Sequence, residues 1–204
     1  MPDQPDDTEV VFPDKNLEQA IRKELEKPHG VLNRGDLIRL KKLQAEGTAI
    51  KDITGLEHAA NLTWLELGGN QISDISPLEW VVSLAELWLH ENQINDISPL
   101  EKLTNLDGLF LYENQISDIS PMGGLTNLTH LELSDNQISD ISPLEGLTNL
   151  TWLELGGNQI SDISPLERLT NLTWLLIERN PLSQVSIDVH IPELQKRGVE
   201  VPLP

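Results

Sequence analysis

One asparagine, repeated, sets the frame for everything else in this chain. Asn70, Asn92, Asn114, Asn136, Asn158 and Asn180 recur at intervals of 22 residues. Self-similarity at that period means one supersecondary coil per unit, each too small to bury its apolar face without a neighbour. Around each asparagine runs the pattern L-x-x-L-x-L-x-x-N-x-I-x-x-I-x-x-L, as in Leu62, Leu65, Leu67, Asn70, Ile72, Ile75 and Leu78. The departures are conservative or near the ends: Met122 and Ile177 for leucine, Leu182 and Val185 for isoleucine. Segments 62–79 and 150–167 are identical over 18 residues, LTWLELGGNQISDISPLE, as a consensus design or a recently duplicated gene would be.

The spacing dictates the coil. Leu65 and Leu67 are two apart, so in a strand they share the inward face, and Trp64 and Glu66 look outward. Stacked coils align these short strands into a parallel sheet. Asn70 falls where the chain leaves the strand, and its amide is expected to cap backbone groups of the turn and of the next coil, forming an asparagine ladder. The Ser-Pro-Leu segments at 76–78, 98–100, 142–144 and 164–166 predict a short helical turn on the convex side, with serine as N-cap and proline first in the helix. Each coil contributes roughly seven apolar side chains worth about 1.5–3 kcal/mol apiece when buried. Chain entropy offsets most of this, so only nearest-neighbour stacking leaves a surplus and both ends must be sealed.

At the front, Asp14 followed by Leu17, Ala20, Ile21 and Leu25 predicts a capped amphipathic helix, and a second helical stretch is expected over Asp36–Leu43. A degenerate coil with Leu40, Leu43, Ala45, Ile50, Ile53 and Leu56 leads into the regular repeats. At the back, Asn180-Pro181-Leu182 breaks the pattern, and His190–Lys196 predicts a closing helix before Val199 and Val201. The expected architecture is an α/β right-handed solenoid with a parallel concave sheet. It divides into a polar tail (1–10), a helical cap (11–39), repeats (40–179) and a C-terminal cap (180–204).

Composition narrows the function classes. Asp and Glu outnumber Lys and Arg 33 to 14, a formal charge of -19. A field of that sign repels phosphate backbones and anionic membranes, so a neutral or basic partner is expected and nucleic acid is not. Without cysteine there is no disulfide and no thiolate zinc site. No apolar run approaches the roughly 20 residues of a membrane span. The start, Met1 to Asp7, is acidic and polar rather than charged-then-apolar like an export signal, which predicts either an intracellular protein or a signal already removed.

The 22-residue N-Q-I-S-D-I-S-P-L-x-x-L-T-N-L unit over about residues 40–180, with the FPDKNLEQAIRKEL start, resembles bacterial internalin-type leucine-rich-repeat proteins. The resemblance implies a helical N-terminal cap, export or surface display, and recognition of proteins, less often glycans, through the concave face. The chain shows no sorting signal and no evident immunoglobulin-like extension.

Outward positions that differ from coil to coil are free to serve binding. The stock strand is T-W-L-E-L-G-G-N; two central coils replace it with A-E-L-W-L-H-E-N (85–92) and D-G-L-F-L-Y-E-N (107–114). Strands about 4.8 Å apart would bring Trp88 against Phe110, with His90 and Tyr112 beside them. Gly108, between Glu86 and His130, is expected to leave a notch, and Glu91, Glu113 and Asp135 to form an acidic edge. An aromatic centre with a charged rim is the composition of a protein-binding hot spot. The plainer alternative is that these aromatics only cover the sheet, a reading that suits the stock residues Trp64, Trp152 and Trp174 better.

Other chemistry is weaker. Glu at the position of Glu66, Glu132 and Glu154 belongs to the stock coil, so with Glu86 it does not define a catalytic pair on an open sheet. His90 and His130 near Glu132 and Asp135 read as surface histidines rather than metal ligands. The Ser-Asp pairs at 73–74, 117–118, 139–140 and 161–162 lack the oxygen density of a calcium loop and read as turn caps. No P-loop, dinucleotide fingerprint or nucleophile elbow is present. The expectation is therefore a cofactor-free, non-enzymatic binding module for a protein or peptide, monomeric or weakly dimeric, with a lectin-like face or a ligand-free consensus scaffold as alternatives.

Overall fold

The computed structural model describes residues 6–202. Seven strands form one parallel sheet in chain order: β1 (Lys42–Gln44), β2 (Trp64–Glu66), β3 (Glu86–Trp88), β4 (Gly108–Phe110), β5 (His130–Glu132), β6 (Trp152–Glu154) and β7 (Trp174–Leu176). The register advances by one repeat at each step, so Leu43, Leu65, Leu87, Leu109, Leu131, Leu153 and Leu175 stand in one line. Each strand is three residues long. Alternation alone sends the middle leucine inward and its neighbours to the concave face. The inward leucines and isoleucines of every regular coil are buried in one continuous core.

The asparagine ladder forms, and its hydrogen bonds run backwards along the solenoid. Asn92 Nδ2 donates to the carbonyls of Leu89 and His90 in its own coil and of Leu67 in the preceding one, while its Oδ1 accepts from Ile72 N–H. The expected bond to the following coil is replaced by one to the coil before, because the turn after the asparagine swings its amide toward the earlier strand. The last rung, Asn180, still serves Leu155 and Ile160 of the coil before it. A second ladder on the other edge escaped the sequence reading: Asn61, Asn105, Asn127, Asn149 and Asn171 each donate to a carbonyl one coil back.

Short 3-10 turns such as Ser76–Trp80 and Ser142–Gly146 build the convex side, with proline in the first turn as expected. Serine, however, is the first helical residue and not the cap. The aspartate two residues earlier does the capping: Asp74, Asp96, Asp118, Asp140 and Asp162 each accept the serine N–H at 2.8–2.9 Å. That bond holds Asp118 and Asp162 below the usual carboxylate range.

The N-terminal cap is α1 (Lys15–Glu24), with Leu17 and Ile21 buried against the first coil. Asp14 N-caps it through one oxygen, accepting from Asn16 and Leu17 N–H, and its other oxygen reaches Lys51 N–H at 2.8 Å. Burial works against ionising Asp14, but these backbone donors outweigh it and hold its carboxyl below the ordinary range. The expected helix over Asp36–Leu43 is shorter and earlier, α2 (Arg34–Leu37), because Leu43 is needed as the inward residue of β1. Of the segment expected as a polar tail, residues 1–5 lie outside the described residues, and Glu9 and Val10 already pack with the cap, Glu9 bridging to Asn33. At the far end a π-helical turn, Ser186–His190, runs into α3 (Ile191–Lys196), and Glu200 pairs in parallel with Trp174 at the sheet edge. No helix among the described residues is long and apolar enough to cross a membrane.

Candidate concave-face site

The sheet turns four columns of side chains outward, and the central coils fill them with rings. Trp88 on β3 and Phe110 on β4 are register partners and stack face to face, centroids 3.5 Å apart at 9°. Two residues on, His90 and Tyr112 stack at 4.6 Å and 15°. The ring of His90 lies flat over Gly68, where a Cβ would come within 2.1 Å of it. A glycine is required in that coil for the histidine to lie down. Stacking leaves His90 only 5% exposed and Phe110 9%, so these two support the patch while Trp88 and Tyr112 present it.

Gly108 does not leave a notch. The Phe110 ring folds back over it, 3.1 Å from where a Cβ would stand, so the missing side chain is what lets the ring lie flat against Trp88. Glu86 acts as an anchor: its carboxylate accepts the indole N–H of Trp64 at 3.0 Å and that of Trp88 at 3.4 Å. A second stack, Trp152 on Trp174 at 4.8 Å, faces the same side beyond β5, and Glu154 accepts the Trp152 indole N–H. As stock residues these tryptophans do not stand out in the sequence; their adjacency as the first residues of neighbouring strands β6 and β7 is the available signal.

Between the two stacks lies β5, with His130 exposed and Glu132 partly buried. Burial first, and the neighbouring Glu154 carboxylate second, push Glu132 up to about 7. On the other flank burial raises Glu66 as well, although its carboxylate accepts the Gly68 N–H at 2.7 Å. Tyr112, partly buried among Glu132, Glu91, Glu66 and Glu113, is pushed up to about 12 and stays a neutral phenol.

The acidic edge is shorter than expected. Glu91 and Glu113 are exposed, but Asp135 is held by Arg179 in a two-point ion pair at 2.9 Å, two coils away. Glu91, Glu113, Asp135 and Arg179 all have left-handed backbone, with φ of 51–55°, at the position that is glycine in the stock coil. A side chain there costs on the order of 1 kcal/mol, so these coils carry charge at a conformational penalty. Among the described residues no three His, Asp or Glu side chains gather in a way that would hold a metal ion.

Stacked 22-residue coils with a concave parallel sheet, two asparagine ladders and a helical cap define a leucine-rich-repeat solenoid. The leucine-rich-repeat family model matches residues 60–102, 82–124, 104–146 and 126–168. Among solved structures, an internalin of Listeria monocytogenes (inlF) is 36% identical over 94% of this chain, with a TM-score of 0.86, and this chain spans 56% of it. Internalin C2 of the same organism is 34% identical, each chain covering 95% of the other, with a TM-score of 0.71. A leucine-rich-repeat protein of Leptospira interrogans is 25% identical over 84% of this chain and 51% of its own, with a TM-score of 0.61. Comparison with the curated proteins gives no match. The chain belongs to the bacterial internalin-type leucine-rich-repeat proteins, a fold that generally serves as a protein-interaction module.

Proposed function

We propose that this chain is a non-catalytic binding module that recognises a neutral-to-basic protein or peptide through its concave face, centred on Trp88 and Tyr112 and rimmed by Glu86, Glu91, Glu113, Asp135 and His130. The observation that carries the reading is local. Where the coils of β2 and β6 keep T-W-L-E-L-G-G-N, the coils of β3 and β4 replace every outward residue, place Glu91 and Glu113 on left-handed backbone, and lay Gly68 and Gly108 under two rings. The same left-handed backbone continues at Asp135 and Arg179, so it is the replacement of the outward residues, and not the strain alone, that singles out these two coils. Half-exposed aromatics within a charged rim are what protein hot spots are made of. Export and surface display accord with the internalin likeness and complete the proposal.

The stacking weighs against a lectin. A sugar needs a free aromatic face, and Phe110 covers one face of Trp88 while His90 covers one face of Tyr112. Paired, partly buried rings beside carboxylates suit the mixed surface of a protein. The test is cross-linking of the purified chain to candidate host-surface and bacterial proteins, followed by measured affinity for whatever is captured. Trp88→Ala and Tyr112→Ala are each expected to weaken binding at least tenfold, and the convex Trp80→Ala to leave it unchanged. Equal affinity for the concave variants and the native chain overturns the reading, and ring-specific capture on a glycan array in high salt replaces it with the sugar alternative.

A further inference from the structure

The C-terminal cap covers only half of the last coil. Glu200 lies along the first half of that edge, accepting from Leu175 N–H and donating to the Thr173 carbonyl. From Ile177 to Leu182 the edge has nothing comparable. In the preceding coil the equivalent donors are all taken up by the coil that follows: Leu155 N–H by the Leu176 carbonyl, Gly157 N–H by that of Glu178, and Ile160 N–H by Asn180 Oδ1. Ile177, Arg179 and Leu182 N–H have no acceptor among the described residues. The Leu155 carbonyl accepts from the side-chain amides of both Asn158 and Asn180, whereas among the described residues that of Ile177 accepts from Asn180 alone. By this equivalence both backbone polar groups of Ile177 face outward from the end of the sheet. In front of them is a cavity of about 440 Å³ with an apolar lining of Ile177, Pro181, Leu182, Ile187, Ile191 and Pro202. Ile187 stands at its rim, 47% exposed. Backbone donors and apolar side chains left together in this way are costly until something covers both.

We propose that this end of the solenoid is a homodimer surface, on which the Ile177 edge of a second copy lies antiparallel to the first. A residue with donor and acceptor both outward is self-complementary. An antiparallel pair about a two-fold axis at Ile177 exchanges both bonds, so one contact satisfies the two chains alike. Charge selects a like chain over a basic one. Residues 168–204 carry four acidic and four basic side chains, so the end is neutral in a chain of formal charge -19. A basic surface is drawn to the acidic repeats and gains nothing here. Two copies, which repel along their repeats, meet at this end with the least repulsion. Arg179 is already held by Asp135 at 2.9 Å, so covering the edge buries no unpaired cation. Removal of Ile187 and the cavity lining from water supplies the drive, and the backbone pair supplies the register. This surface is separate from the concave face, and neither reading depends on the other.

The test is sedimentation of the whole chain over a range of concentrations, at about 0.05 and 0.5 M salt. The expected result is a reversible shift toward twice the mass of one chain as concentration rises. Salt should tighten it at least threefold, because screening removes the repulsion between two acidic chains and leaves the apolar contact in place. Ile187→Asp, at an exposed position, should weaken the dimer at least tenfold with the fold intact by circular dichroism. Amide hydrogen exchange followed by NMR reads the edge itself. Exchange at Ile177 and Arg179 should slow at least fivefold between the monomeric and dimeric samples, while Leu155 and Gly157, bonded in both, stay unchanged. A single-chain mass at every concentration and salt overturns the proposal, as does a dimer that leaves the Ile177 and Arg179 amides unprotected. A dimer that loosens with salt, or that survives Ile187→Asp and is lost with Trp88→Ala, also overturns it and puts self-association on the concave face.

Discussion

Glu132 is where the concave face works against its own stability. Its carboxyl titrates at about 7 in the folded chain, against 4.5 in an unstructured one, because burial and Glu154 disfavour its charge. Between those two values the unfolded chain has released the proton and the folded chain still holds it. Stability attributable to this group is therefore intact below about pH 4.5, declines as pH rises, and is fully lost above about pH 7. Screening by water over the exposed part of the side chain reduces the effect to about 1 kcal/mol. Glu132→Gln is expected to raise the free energy of unfolding by that amount at pH 8 and to leave it unchanged at pH 4, read from urea denaturation at both. An equal effect at the two pH values contradicts the titration. The groups facing Glu132 are Glu154 on β6 and Tyr112 in the coil before, and neither supplies a positive charge. The sequence did not show this residue's special position, because Glu132 reads as one more stock glutamate. Only packing distinguishes it from Glu66, which has a backbone N–H to accept, and from Glu154, which has an indole.

The coil is the element on which stability turns, and its asparagine is the strongest single tie. Asn114 accepts from Ile94 N–H at 2.9 Å and donates to Leu89, Leu111 and Tyr112 carbonyls, binding two coils at once from a buried position. Asn114→Ala leaves several buried backbone groups without partners, at about 1–3 kcal/mol each, and is expected to cost about 3–5 kcal/mol in all. Asn127 forms a comparable single bond to Thr104 from an exposed edge, so Asn127→Ala should cost about 1 kcal/mol or less. Thermal or urea unfolding of the pair checks the contrast; similar losses would mean the buried ladder is not the principal tie. At this scale the sequence was most legible. A strict 22-residue period fixes strand register, inward face and ladder together, since none of them can shift without the others. What it concealed was direction and capping. Backward bonding of the asparagine and capping by Asp74 rather than Ser76 depend on how the backbone turns between repeated residues, which the repeat itself does not state. The α2 boundary moved for a tertiary reason, the demand of the first coil for Leu43 as an inward residue. Gly68 and Gly108 were visible as glycines, but their purpose became clear only with the His90 and Phe110 rings lying on them.

Across the whole molecule the charge is unevenly spread, and that asymmetry bears on how a partner arrives. Residues 52–167 hold 19 Asp and Glu against a single basic residue, Lys102, while nine of the 14 Lys and Arg lie at or before Lys51. Lys102 is on the convex side, paired with Glu79 at 2.6 Å, so it does nothing to neutralise the concave field. A curved sheet lined by one sign of charge concentrates its field over the hollow, accelerating encounter with a basic surface far more than it tightens the final complex. Once docked, the aromatic patch excludes water, and contacts within it are less screened than the long-range field. Association and dissociation should therefore respond differently to salt. For a captured basic partner, raising the ionic strength from about 0.05 to 0.5 M is expected to slow association roughly tenfold and to change dissociation by less than about threefold. Surface plasmon resonance with the chain immobilised separates the two rates. A salt effect mainly on dissociation would locate the charges that matter inside the contact, among Glu86, Glu132 and Glu154. An association rate indifferent to salt would mean that the acidic repeats keep the solenoid soluble and play no part in steering.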